Sequence, residues 1–110
     1  MAEIRLALSR AGAVVWRNNV GLAWYGKNRE IPVKYGLCNG SSDLIGFIPV
    51  LITPEMVGRT IAAFVAIECK KPAGSRRTDE QKNFVRVVHG AGGMAGFART
   101  AEEALAIVSP

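Results

Sequence analysis

Histidine is nearly absent from this chain, His89 being the only one in 110 residues. Zinc sites built on two or more histidines, and serine or cysteine nucleophiles that rely on a second one, therefore have little room. Cysteine is almost as scarce. Cys38 and Cys69 show no CxxC spacing, which makes two free thiols in a reducing compartment the default and leaves a single disulfide open. No run approaches the roughly 20 apolar residues of a membrane span, and the N-terminus lacks the apolar stretch of a secretory signal. The expectation is a soluble, intracellular protein with no membrane partner. In that setting the glycosylation match at Asn39-Gly40-Ser41 carries no weight.

Low-complexity tracts and long repeats are also missing, and 49% hydrophobic against 21% charged residues is a globular composition. The length suits one domain spanning 1–110 with a single compact core. Fourteen Lys and Arg against nine Asp and Glu leave a formal charge of +5. That suits a polyanion such as nucleic acid, and suits a plain basic protein equally well. The cluster of Lys70, Lys71, Arg76 and Arg77 tips the balance toward nucleic acid.

Along the chain, Ile4 and Leu8 stand four apart within a short amphipathic helix over 3–10 that Gly12 closes. Ala13–Trp16 reads as strand, 17–26 as polar, glycine-broken sequence, and Ile31–Leu37 as a second extended segment before the turn at 39–42. Asp43–Ile52 and Thr60–Lys70 read as adjacent strands forming a hairpin around Pro54 and Gly58. Ile61–Ile67 is apolar at every position, which points to a central strand covered on both faces. Thr78 starts a helix with Phe84, Val85 and Val88 on one side, ending near Gly90 with His89 in its last turn. The glycine-rich 90–96 stretch departs from GxGxxG at Ala95, so it reads as a helix stop and tight turn rather than a nucleotide cradle. A strand over 96–100 and a helix from Thr100, carrying Ala104, Leu105 and Val108 toward the core, complete an α-β-β-β-α-β-α order.

Side chains on a strand alternate, so Glu68 and Lys70 project the same way and Cys69 the other. Two charges at the end of an apolar strand are tolerable if they pair or if a metal ion binds. By itself an ExK tripeptide fits an ordinary ion pair better than a catalytic site. Asp43 follows a Gly-Ser-Ser turn, where an aspartate commonly caps its own backbone. In an antiparallel hairpin it would also begin its strand at the end away from Glu68, unless bending or an offset brings the two together. Gln81 turns toward the sheet by its spacing to Val85 and Val88, and Thr78-x-x-Gln81 is equally a capping box. Glu3 sits in a first helical turn, where the helix dipole favours it anyway. Trp16 reads as core, whereas Trp24, Tyr25 and the apolar 44–57 segment are candidate interface surfaces.

Taken together, Glu3, Trp16-Arg17-Asn18, Gly40-Ser41-Ser42-Asp43-Leu44-Ile45, Ile67-Glu68-Cys69-Lys70-Lys71-Pro72, Asp79-Glu80-Gln81-Lys82, Gly92-Gly93 and Glu102-Glu103 resemble a known pattern over nearly the whole chain. It is that of the PD-(D/E)xK nucleases, specifically the VRR-NUC (virus-type replication-repair nuclease) branch of stand-alone phage and bacterial type. Ser42 stands where the family usually has Pro, and Cys69 where it usually has an aliphatic residue; neither change removes a functional group.

The resemblance implies an α/β, restriction-endonuclease-like core, a mixed central β-sheet flanked by helices, whose bent second strand brings the aspartate beside the ExK strand. It implies an Mg²⁺- or Mn²⁺-dependent endonuclease cutting DNA, with branched four-way (Holliday) junctions as substrate and a homodimer as the working form. Asp43, Glu68 and the Cys69 backbone carbonyl are the implied metal ligands, Lys70 the implied catalytic cation, and Gln81 and Glu3 further catalytic groups. Lys71, Arg76, Arg77, Arg17, Asn18 and Lys34 are the expected DNA contacts. The competing expectations are a catalytically idle nucleic-acid-binding module and a nuclease preferring flaps or linear duplex.

Overall fold

The computed structural model describes residues 1–71 and 76–109. Its order is α1 (Ala2–Arg10), β1 (Val14–Arg17), β2 (Gly21–Tyr25), β3 (Ile31–Tyr35), β4 (Leu44–Phe47), a 3-10 turn (Pro54–Met56), β5 (Val65–Cys69), α2 (Asp79–Gly90), β6 (Met94–Ala98) and α3 (Ala101–Ile107). The chain divides into two compact units, Met1–Ile48 and Pro49–Pro110. Among the described residues no helix is long and apolar enough to cross a membrane. Cys38 and Cys69 are both free and exposed.

In the first unit α1 packs on β1, and β1 pairs antiparallel with β4. Trp16 and Phe47, one from each strand, meet at 5.9 Å between ring centroids. The two backbones approach so closely at Gly46 that a Cβ there would run into the Val14 carbonyl, so only glycine fits. The strand is short because β1 offers four partners, Val14 to Arg17, and Pro49 soon follows with no N–H to continue a ladder. A separate antiparallel hairpin pairs β2 with β3; β3 lies in the segment expected to be extended, whereas β2 lies within the 17–26 stretch expected to be irregular. Its glycines masked the strand signal of Leu22, Trp24 and Tyr25, and the pairing with Ile31–Tyr35 supplies the order that local sequence did not show.

The second unit is a β-α-β crossover. β5 and β6 run parallel in the register Val65↔Met94 through Cys69↔Ala98, with α2 as the connection between them. The capping box expected at Thr78 is formed: its hydroxyl accepts from the Gln81 N–H, and the Gln81 side chain accepts from the Thr78 N–H. Val88, 1% exposed, and Ala98, 6%, are the buried hydrophobic residues of the described chain. α3 lies against β6, with Ile107 filling the space where a Cβ on Gly96 would project. The glycine-rich stretch is the short passage from α2, ending at Gly90, to β6, starting at Met94.

Several expectations are corrected. The 43–52/60–70 hairpin is not formed, because β4 takes β1 as its partner and β5 takes β6. Residues 60–64 lie outside the strand: β6 is five residues long and pairs with Val65–Cys69, so of the apolar run only 65–67 find ladder partners. Val65 is 49% exposed and Cys69 is exposed, so β5 is not sheathed on both faces. The described strands form three two-stranded sheets, and the mixed central sheet of the expected α-β-β-β-α-β-α core is not present among them. The last strand lies at 94–98 instead of 96–100, and of the α3 residues expected to face the core Leu105 is exposed, whereas Ala104 and Val108 are half-buried together with Ile107. The mixed α/β class stands.

Candidate active site

Strand alternation puts Ala66, Glu68 and Lys70 on one face of β5. The Lys70 N–H donates to the Ala98 carbonyl at 2.8 Å, which extends the parallel ladder one residue and fixes where Lys70 leaves the strand. Gln81, at the third position of α2, shares its helix face with Val85 and Val88 and so approaches that β5 face. The capping box therefore aims its amide.

The result is a continuous hydrogen-bonded chain. Gln81 Nε2 donates to Glu68 Oε1 at 2.8 Å, and Lys70 Nζ donates to Gln81 Oε1 at 2.6 Å. The same Oε1 accepts the Thr78 backbone N–H at 3.1 Å. With two donors on its oxygen side and a carboxylate on its nitrogen side, only one orientation of the amide satisfies all three partners. Lys70 Nζ also donates to the Arg76 carbonyl at 2.9 Å and stands 3.9 Å from Glu68 Oε1. The Lys70 side chain is 8% exposed and that of Glu68 is 39%. Burial of the ammonium is tolerable because acceptors surround it, whereas the carboxylate keeps an open side. A cleft of about 310 Å³ begins there, between Ala66, Ile67 and Glu68 on the strand and Glu80, Phe84 and Val85 on the helix.

Across the sheet the partner of Glu68 is Phe97. The Arg77 guanidinium lies 4.2 Å from the Phe97 ring centroid and Lys70 Nζ lies 6.0 Å from it. Sequence reasoning missed Phe97. Its signal was a register, one aromatic opposite the ExK glutamate on the next parallel strand, and a register is unreadable before the pairing is known.

Glu68, Lys70 and Gln81 thus converge within the second unit, with Arg76 and Arg77 at its edge and Lys71 exposed on the chain leaving β5. Glu3, Arg17, Asn18, Lys34 and Asp43 belong to the first unit. There Asn18 organises the turn before Asp43. Its Nδ2 donates to Ser41 Oγ at 2.7 Å and to the Ser42 carbonyl at 3.0 Å, and its Oδ1 accepts from the Leu37 N–H at 3.1 Å. The Asn18 N–H bonds the Asp43 carbonyl at 2.8 Å. Among the described residues the exposed Asp43 carboxylate accepts none of these bonds. Arg17 lies beside this turn, in register with Leu44, whereas Lys34 is exposed on β3 and Glu3 is exposed in the first turn of α1.

Oxygen donors suit Mg²⁺ or Mn²⁺. Glu68 is open on one side, and the Cys69 carbonyl faces away from β6, because Lys70 N–H on the alternate side is the group paired with Ala98. Both groups fit a metal ligand role. Among the described residues no group of three or more His, Cys, Asp and Glu side chains is gathered in one place. The chain has no significant match to a family model, a curated protein or a solved structure.

Proposed function

We propose that this protein is an Mg²⁺- or Mn²⁺-dependent endonuclease that hydrolyses phosphodiester bonds in DNA. The observation that carries the proposal is the chain Glu68, Gln81, Lys70, in which an ExK carboxylate and cation from one strand are joined through a glutamine on the following helix. The sequence pattern around Asp43 and its resemblance to the VRR-NUC nucleases supply the rest of the assignment. Asp43, Glu68 and the Cys69 carbonyl are the assigned metal ligands. Bound there, the ion supplies a lowered water pKa and charge stabilisation on the phosphate.

The chain's own residues do the remaining work. Gln81 holds one Glu68 oxygen and leaves the carboxylate's exposed side for the ligand role. Lys70, cationic and nearly dry, offsets negative charge gathering at the site and keeps the amide oriented. Arg17, Lys34, Lys71, Arg76 and Arg77 are assigned to the DNA backbone, and Asn18 supports the turn that presents Asp43. A four-way junction is the assigned substrate and a homodimer the assigned form, because one site per small chain cuts two strands symmetrically only through a two-fold.

A second reading, a nucleic-acid-binding module without catalysis, is favoured by the way Lys70 is committed to internal acceptors. Four-way, flap and linear DNA incubated with Mg²⁺, Mn²⁺ or chelator separate these readings, with Asp43→Ala and Lys70→Ala alongside. Metal-dependent cutting lost in both variants supports the nuclease, and binding without any cutting supports the module. Equal cutting of linear and branched DNA removes the junction assignment. Light scattering tests the dimer, which a monomer at working concentration contradicts.

A further inference from the structure

Lys70 is the obvious cation for a phosphate, yet its ammonium already has three polar neighbours. It donates to Gln81 Oε1 at 2.6 Å and to the Arg76 carbonyl at 2.9 Å, and faces Glu68 Oε1 at 3.9 Å. An ammonium has three donors. With an 8% exposed side chain, Lys70 has little left to offer a ligand arriving from solvent.

Arg77 is arranged differently. Its guanidinium lies 4.2 Å from the Phe97 ring centroid, and Phe97 sits in register with Glu68. Among the described residues the ion pair of this region is Lys70 with Glu68, and Arg77 takes part in none. Stacking occupies the flat face of a guanidinium and leaves its N–H edge available, and that edge matches two phosphate oxygens at once. The Lys70 bond to the Arg76 carbonyl ties the neighbouring residue to the site, which limits how far Arg77 can wander.

We propose that Arg77, held on Phe97, is the phosphate-binding fork of this site and that Lys70 is a positioning cation that makes no direct contact with the DNA backbone. The inference rests on the nuclease reading for the identity of the phosphate as part of DNA, and it divides two roles that a basic cluster would otherwise share.

The test is fluorescence anisotropy of a labelled DNA with the full chain, in chelator and over a series of KCl concentrations, for wild type, Arg77→Ala, Arg77→Lys, Phe97→Leu, Lys70→Met and Arg86→Ala. Each phosphate contact contributes about 0.7 to 0.9 to the slope of log K against log salt. Arg77→Ala is expected to flatten the slope by about that amount and to weaken binding about five-fold at 0.1 M salt. Arg77→Lys keeps the slope and loses part of the affinity, and Phe97→Leu does the same. Lys70→Met and the exposed control Arg86→Ala leave the slope unchanged. A wild-type slope in Arg77→Ala, or a Lys70→Met slope flattened as much as that of Arg77→Ala, overturns the proposal. Phe97→Leu binding like wild type removes the stacking, and circular dichroism of each variant identifies any that is unfolded. Because chelated binding needs no cutting, a protein that shows these slopes and never cleaves would sink the nuclease reading alone.

Discussion

Gln81 donates to Glu68 at 2.8 Å with its amide nitrogen and accepts from Lys70 at 2.6 Å with its amide oxygen, so one neutral side chain separates and orients the two charges of the ExK sequence. The direct Glu68 to Lys70 distance is 3.9 Å, longer than either bond through the amide. Charge pairing here is therefore mediated more than direct. The glutamine also completes the N-terminal cap of α2, which couples the helix start to the site.

Gln81→Ala is expected to lower stability by about 1–3 kcal/mol, because a nearly buried ammonium loses an acceptor that nothing replaces. Urea unfolding followed by circular dichroism measures it. A loss below about 0.3 kcal/mol would mean that the amide bonds are exchanged for water at no cost.

Thr78→Ala removes the hydroxyl that accepts the Gln81 N–H and is expected to cost about 1 kcal/mol, with Thr78→Ser close to wild type. Cleavage should fall along with stability in Thr78→Ala, since the same turn of backbone aims the amide. Full activity in a destabilised Thr78→Ala protein would separate the cap from the site.

Lys70→Ala is expected to abolish cutting by at least about a hundred-fold while the protein stays folded. The partly exposed Glu68 carboxylate remains solvated when its partner is gone, so the fold tolerates the loss. Single-turnover cleavage and thermal melting, run on the same preparation, distinguish lost chemistry from lost structure.

Gly46→Val places a branched side chain against the Val14 carbonyl and is expected to destabilise the β1–β4 pair by about 2 kcal/mol or more. Hydrogen exchange should show the loss at Val14–Arg17 and Leu44–Phe47. Unchanged protection there would mean that the two backbones part without cost.

The sequence made the second half of the chain more legible than the first. The Thr78-x-x-Gln81 capping box, the α2 stop near Gly90 and the shared face of Glu68 and Lys70 all follow from local rules of helix termini and strand alternation. Pairing does not follow from local rules. Asp43–Ile52 and Thr60–Lys70 read as a hairpin because they are neighbours in sequence, whereas β4 and β5 are claimed by β1 and β6. The β2 strand hid behind its flanking glycines and emerged only through its register with β3. In the site, Glu68, Lys70 and Gln81 were readable as residue types at fixed spacing. Phe97 and the Arg76 carbonyl were not, since one depends on a cross-strand register and the other on a backbone group.

The most direct test of the nuclease assignment is cleavage of a labelled four-way junction by wild type and Glu68→Gln, each with Mg²⁺ and with chelator. Glu68→Gln preserves shape and removes the charge. The expected result is cutting by wild type in Mg²⁺, none in chelator, and none by Glu68→Gln in either, with the variant folded and still binding the junction. Cutting by Glu68→Gln at the wild-type rate would contradict the account.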